Sequence, residues 1–293
     1  MFFEKYNDKK DGVIRGYDMH SPIVRFVCVL IMLFCLAIVI CAIFPIVWVF
    51  LASFKDIKEF NTNVSILPKT YDFSLLSQTW KQLNFINSYK NSLIVVCGSV
   101  VCAVIFNGLL AYALAILKPK GHSIVMMLLM FSMLIPSSTN IIALFKNINS
   151  LGLTGSFLPL CLSAGASAFN VIMFKQFFEG IPSELLDAAR LDGCGTLKVF
   201  SVIVLPLSKP IIAVIAIFAI TGSWSDFLLP YLVLNGSGKE TVMVTLFRFK
   251  DIATMTAVNI LRACMFAIIP PTILFVFFQK QITDGAMAGA VKG

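Results

Sequence analysis

Charge is what this sequence has least of. Asp, Glu, Lys and Arg make up 13% of its 293 residues and hydrophobic residues 58%, against roughly a quarter charged in an ordinary soluble domain. So little polar surface cannot cover the chain in water, and a bilayer is its natural solvent. Histidine is nearly absent: His20 and His122 flank different apolar runs and neither sits in an HExxH pattern, which argues against a metal centre or a His-activated nucleophile. There is no G-x-S-x-G elbow, and no pair of acids falls within one apolar run. The groups that hydrolysis, or proton and sodium coupling inside a membrane, would need are therefore missing. A phosphate-binding loop is missing too. Gly238-Lys239 has Val233 where that loop needs its first Gly and Glu240 where Ser or Thr should follow, so it reads as a solvated turn. No CxxC occurs. Cys28, Cys35, Cys41, Cys97, Cys102, Cys161 and Cys264 lie inside apolar runs and Cys194 in a loop, the pattern of small buried apolar side chains rather than a disulfide framework or metal site.

What is present is a basic excess, net +8, and long apolar runs. The Lys and Arg residues lie between the runs and are not interleaved with aromatics. They report topology and anionic headgroups rather than a nucleic-acid partner. A spanning helix takes about 20 apolar residues. Such runs cover 26–54, with Pro45 inside; 93–117, closed by Lys118-Pro119-Lys120; and 124–145, interrupted at Pro136 and Ser137-Ser138-Thr139-Asn140. Three more cover 157–174, 202–224 with Pro206 and Pro210 near its start, and 258–278 with Pro270-Pro271 inside. The fourth is rich in small residues from Ser163 to Ala168, which lets helices approach closely. Backbone groups in hydrocarbon must bond within their own segment, so the expected fold is all-α and polytopic, with about six spans. The first run begins late and is too long for a signal sequence, so it should stay as an anchor. Placing both termini in the cytoplasm puts a modest excess of Lys and Arg inside, with the short 118–120 turn as the best marker. The expected organisation is a cytoplasmic segment 1–25, one membrane domain 26–280 and a cytoplasmic tail 281–293. Its two larger hydrophilic interruptions are 55–90 outside and 179–201 inside.

The inner interruption carries the most information. Pro182 and Ser183 are helix-start residues, with Ser183 as N-cap. Glu184 and Asp187 suit the first turn of the helix dipole, and Gly193 suits the left-handed position past the end. The spacing predicts a short helix in which Leu185, Ala188 and Ala189 share a face, small enough to enter a groove, with Asp187 and Arg190 beside it. Two readings fit: a helix that docks into another protein, or a connector lying on the membrane surface.

Asp187-Ala188-Ala189, then Gly193, then Ile203, Leu205 and Pro206 resemble the EAA loop of ABC importer permeases, here spanning 181–210, with Asp187 where Glu is usual. Asn91-Ser92-Leu93, Ala111-Tyr112-Ala113-Leu114-Ala115, Leu151-Gly152-Leu153, Trp224, Asp226-Phe227 and Pro230 are similar to the same family, with Ser225 in place of its usual Asn. The ending Gly289-Ala290-Val291-Lys292-Gly293 resembles the carbohydrate-uptake permeases of the maltose-transporter (MalG-like) type. The resemblance implies that Glu184, Asp187, Ala188, Ala189, Arg190, Asp192 and Gly193 couple the chain to a separate ATPase dimer, which binds the ATP and Mg. It also implies that Ala290, Val291, Lys292 and Gly293 reach that ATPase interface. A homologous second permease, an extracytoplasmic solute-binding protein and a location in a bacterial inner membrane, surrounded by its lipid, follow from the same likeness. So does a translocation path for a sugar or oligosaccharide. This chain itself would hold no cofactor and catalyse nothing.

Other polar positions leave alternatives open. Asn107 and Asn170 either line a path or bind helices together. Arg262, the one charge inside a run, is either functional or snorkels to the outer surface, and snorkelling is the simpler expectation. Trp224, Phe227 and Tyr231 form an interfacial belt or stack on sugar. An ABC permease for a peptide, amino acid or polyamine, an ion-coupled secondary transporter and a polytopic membrane enzyme are the rival functions.

Overall fold

A computed structural model describes residues 22–62, 65–249 and 256–290. Every regular element among them is helical. The chain divides into two compact units, Met1–Asp72 and Phe73–Gly293.

In the first unit α1, Pro22–Ala52, runs for 31 residues and buries only Ala52. That length exceeds what a bilayer core requires, and its apolar side chains face outward all round, as for a helix whose solvent is lipid. Beyond it, α2 (Ile57–Thr62) is tied back by the Lys69 amide, which donates to Glu59 Oε1 at 2.8 Å. Lys55 is buried and donates to the Ser65 carbonyl.

The second unit is organised around one long helix. After α3 (Phe73–Gln82), α4 runs Phe85–Tyr112 and continues through a π-helical turn, Ala113–Leu117. It therefore starts eight residues before the apolar run does. Those extra turns are held by side chains: Ser88 Oγ and Thr245 Oγ1 share a hydrogen bond of 2.8 Å, and the Val242 amide donates to Ser92 Oγ at 2.9 Å.

Three helices are long and apolar enough to cross a membrane: α1, α4 with its π turn, and the last helix. Two bent pairs raise the number to five among the described residues. The third run is divided into α5 (His122–Ser132) and α6 (Ser137–Ser150), parted at Pro136, because proline cannot supply the amide that would carry one helix into the next. The fourth becomes α7 (Leu158–Ala164) and α8 (Ala168–Phe178), bent by 44°. After α9 (Ser183–Leu191) come α10 (Thr196–Val199), a second π turn (Phe200–Val204) and α11 (Leu205–Leu207), then an 84° bend into α12 (Lys209–Ser225). Helices α13 (Leu228–Leu234) and α14 (Val242–Phe249) precede α15, Ala257–Ala290. Residues 281–290 thus extend the last helix.

The eight cysteines are free thiols, and only Cys161 is buried. Cys28, Cys102, Cys194 and Cys264 are partly exposed and Cys35, Cys41 and Cys97 exposed, so most are not the small buried side chains the sequence suggested. Gly98 makes room for Cys161: a Cβ there would lie 2.3 Å from its Sγ.

Candidate functional site

Helix α9 begins at Ser183 with Pro182 in the N-cap position and no side-chain cap, one residue earlier than expected, so Ser183 is the first helical residue rather than the cap. Its C-terminus closes as the sequence implied. Gly193 has φ +77. The Gly193 amide donates to the Arg190 carbonyl and the Cys194 amide to the Ala189 carbonyl, both at 3.0 Å, which is the Schellman closure. Glu184 lies in the first turn, Asp192 is the C-cap, and Arg190 Nη1 donates to Asp187 Oδ1 at 3.0 Å on the exposed side.

The faces differ from expectation. Ala189, 6% exposed, turns inward with Leu186, while Ala188 stays exposed beside Leu185. Leu191 is 89% exposed and Leu197 71%. The inward pair joins a cluster with Tyr112, Val199, Phe200 and Phe178. Tyr112 Oη donates to the Thr196 carbonyl at 3.1 Å, and its ring lies 5.3 Å from that of Phe200. So α9 has one face fixed to the ends of α4 and α8 and to the second π turn. Its outer face presents Leu185, Ala188 and Leu191, which are exposed among the described residues.

Past α11 the backbone turns at Ser208, which is fully buried. Pro206 and Pro210 bracket the turn and lack amides. Ser208 closes the gap locally, its Oγ donating to the Val204 carbonyl at 2.6 Å and its amide to the Val204 and Leu205 carbonyls at 3.1 Å.

Asn107 is fully buried in α4. Its Nδ2 donates to the Ala103 carbonyl at 2.8 Å and the Ala164 carbonyl at 3.0 Å, and its Oδ1 accepts from the Ser167 amide at 3.0 Å. Its amide group thus binds the α7–α8 break. Asn170 instead lines a cavity of about 330 Å³ between α4, α7, α8, α12 and α13, together with Ser163, Ser167, Phe218, Ser223 and Asp226. Hydroxyls, an amide and a carboxylate there face two aromatic rings, Phe169 and Phe218, whose centroids are 5.8 Å apart. Burial pushes the Asp226 carboxyl above the usual carboxylate range, opposed by the amides of Leu229, Leu228 and Phe227. Ser163, Ser223 and Asp226 were not singled out for this cavity; the small polar residues of the fourth run and the residues on either side of Trp224 were the available signal.

The other singled-out positions fall as follows. Arg262 does not snorkel: it is 5% exposed, and Nη1 donates to Asn259 Oδ1 at 2.7 Å one turn back in α15. Trp224 is buried rather than in an interfacial belt, its Nε1 donating to the Ala267 carbonyl at 3.1 Å. Phe227 and Tyr231 pack with Phe247 at 4.4 Å and 5.5 Å between ring centroids. Lys239 is held by the Gly155 carbonyl at 2.9 Å. Ala290 ends α15, and Val291, Lys292 and Gly293 lie outside the described residues.

Relatives share this sequence over nearly its full length. The arabinooligosaccharides transport system permease protein AraQ of Bacillus subtilis is 30% identical over 94% of this chain and 99% of its own. The melibiose/raffinose/stachyose import permease protein MelC of the same organism is 31% identical over 88% and 94%, and its protein LplC 30% identical over 86% and 90%. Among solved structures, a chain of a bacterial ABC transporter that imports the acidic polysaccharide alginate matches the fold with a TM-score of 0.80 at 24% identity, over 89% of this chain and 98% of that one. Residues 105–285 match the model for binding-protein-dependent transport system inner membrane components. The chain is a member of that family of multi-pass membrane permeases.

Proposed function

We propose that this chain is one of two permease subunits of an ABC importer that carries a sugar or oligosaccharide into a bacterium, with both termini in the cytoplasm. The observation that carries the reading is α9, one face built into the chain's core and the other left bare with small and apolar residues. A knob so built receives force from outside and passes it inward. The partner that fits it is an ATPase dimer holding ATP and Mg, whose closure presses on Leu185, Ala188 and Leu191. Because Leu186 and Ala189 share a cluster with Tyr112, Phe200 and Phe178, the push moves the ends of α4 and α8 and the Ser208 elbow together. Such packed interfaces switch between discrete arrangements rather than deforming gradually. The cavity beside Asn170 and Asp226 then opens to alternate sides. Its hydroxyl, amide and carboxylate groups against aromatic faces suit a polyhydroxylated solute, and AraQ and MelC carry oligosaccharides in their names. The solute arrives on an extracytoplasmic binding protein, and a homologous permease completes the path. Nothing in this chain makes or breaks a bond of the solute.

The test is reconstitution with the ATPase and binding protein in proteoliposomes. Sugar-dependent ATP hydrolysis and uptake are expected in the native complex, with uptake lost and hydrolysis uncoupled in the Ala188→Asp, Gly193→Asp double variant. Normal uptake in that variant removes the coupling role, and a complex responding only to a non-sugar solute removes the substrate class.

A further inference from the structure

In an α-helix the carbonyl of each residue accepts from the amide four residues on. Pro270 and Pro271 have no amide hydrogen, so the carbonyls of Phe266 and Ala267 lose their ordinary partners in the middle of α15. Inside a membrane such carbonyls need donors from elsewhere. Two are in place, from two other helices. Tyr89 Oη, near the start of α4, donates to the Phe266 carbonyl. Trp224 Nε1, at the end of α12, donates to the Ala267 carbonyl at 3.1 Å. Successive carbonyls on a helix are turned by about 100° from one another, so flanking helices on two sides can serve them one each. The two donor rings meet edge to face at 5.5 Å. Trp80 packs against Tyr89 at 5.2 Å and Phe266 at 4.9 Å between ring centroids. An indole nitrogen can only donate, and here it meets the one acceptor that Pro271 frees.

We infer that Tyr89 and Trp224 are positioning residues for transport: they hold the Pro270–Pro271 hinge of α15 to α4 and α12, and the transport rate depends on these two hydrogen bonds. Neither carbonyl has the amide four residues on that an unbroken helix would supply. The bonds can therefore break and re-form as α15 flexes, with the rest of the helix intact. The inference rests on the transport reading above.

The experiment uses the complete transporter in proteoliposomes and reads maximal uptake rate and half-saturation separately. Tyr89→Phe, which removes one hydroxyl, is expected to lower the maximal rate about tenfold, the scale of one hydrogen bond, with half-saturation unchanged. Pro270→Ala returns an amide to the Phe266 carbonyl. In that background Tyr89→Phe should change the rate less than about twofold. Trp224→Phe should be suppressed in the same way by Pro271→Ala, and the crossed pairs should show no suppression. A native maximal rate in Tyr89→Phe overturns the inference, as does suppression that ignores which proline is replaced. If an alanine variant itself stops uptake, the same matched and crossed pairs are read as melting temperatures of the purified complex, together with the Tyr89→Phe rate. If the native complex carries a different solute, the transport reading changes its substrate and the ratios are taken on that solute. If it carries none on ATP, the transport reading fails, and the inference built on it falls separately from any result on the hinge.

Discussion

The fourth and fifth apolar runs bend sharply, and their breaks are mended in opposite ways. Between α7 and α8 the bend is 44°, and the loose backbone groups are claimed by Asn107 from another helix, through the Ala164 carbonyl and the Ser167 amide. At Ser208 the bend is 84°, and the chain repairs itself through bonds to Val204 and Leu205. A break mended from outside fastens two helices together. One mended from within takes its hydrogen bonds from its own segment and leaves packing alone to hold it to its neighbours. The first joint ties α7 and α8 to α4, and the second, adjoining α9, is closed by its own hydrogen bonds.

That contrast can be broken at three places, with falling effect on stability. Asn107→Ala strands the part-buried Ala164 carbonyl and Ser167 amide, removes a fully buried side chain, and should cost about 3 kcal/mol, at roughly 1–3 kcal/mol for each unpaired group. Thermal unfolding in detergent measures it, and a native melting temperature would show that the α7–α8 break does not depend on α4. Gly165→Val places a Cβ 2.8 Å from Phe106 Cδ2 and 3.1 Å from the Cys102 carbonyl. Overpacking of that kind costs about 2 kcal/mol, and the same melt should show a smaller drop than for Asn107. Ser208→Ala loses one local bond while both prolines remain, so about 0.5–1 kcal/mol is expected. A loss as large as that of Asn107→Ala would mean the elbow is not self-sufficient.

Much of this was legible in the sequence because it is local. Apolar length marked α1, α4 and α15. Pro182 and Gly193 marked the ends of α9, since a fixed φ and a positive φ are properties of single residues. What could not be read was which way side chains face. With Leu185, Leu186, Ala188 and Ala189 on one short helix, apolar residues occupy two adjoining faces. The choice of Leu186 and Ala189 as the inner pair is made by Tyr112 and Phe200, which arrive from other segments. Trp224 looked like a belt residue because its acceptor lies 43 positions away. Asn107 was ambiguous for the same reason, as its second partner is 57 positions along the chain.

Helix α4 and its π turn form one rod of 33 residues, about 50 Å at 1.5 Å per residue. At one end it is bonded to α14 through Ser88 and Ser92, and at the other Tyr112 grips the segment that follows α9. It therefore has the build of a lever: in the transport cycle proposed above, a small tilt at the Tyr112 end is carried to the Ser88 end along one helix, whose length sets its reach.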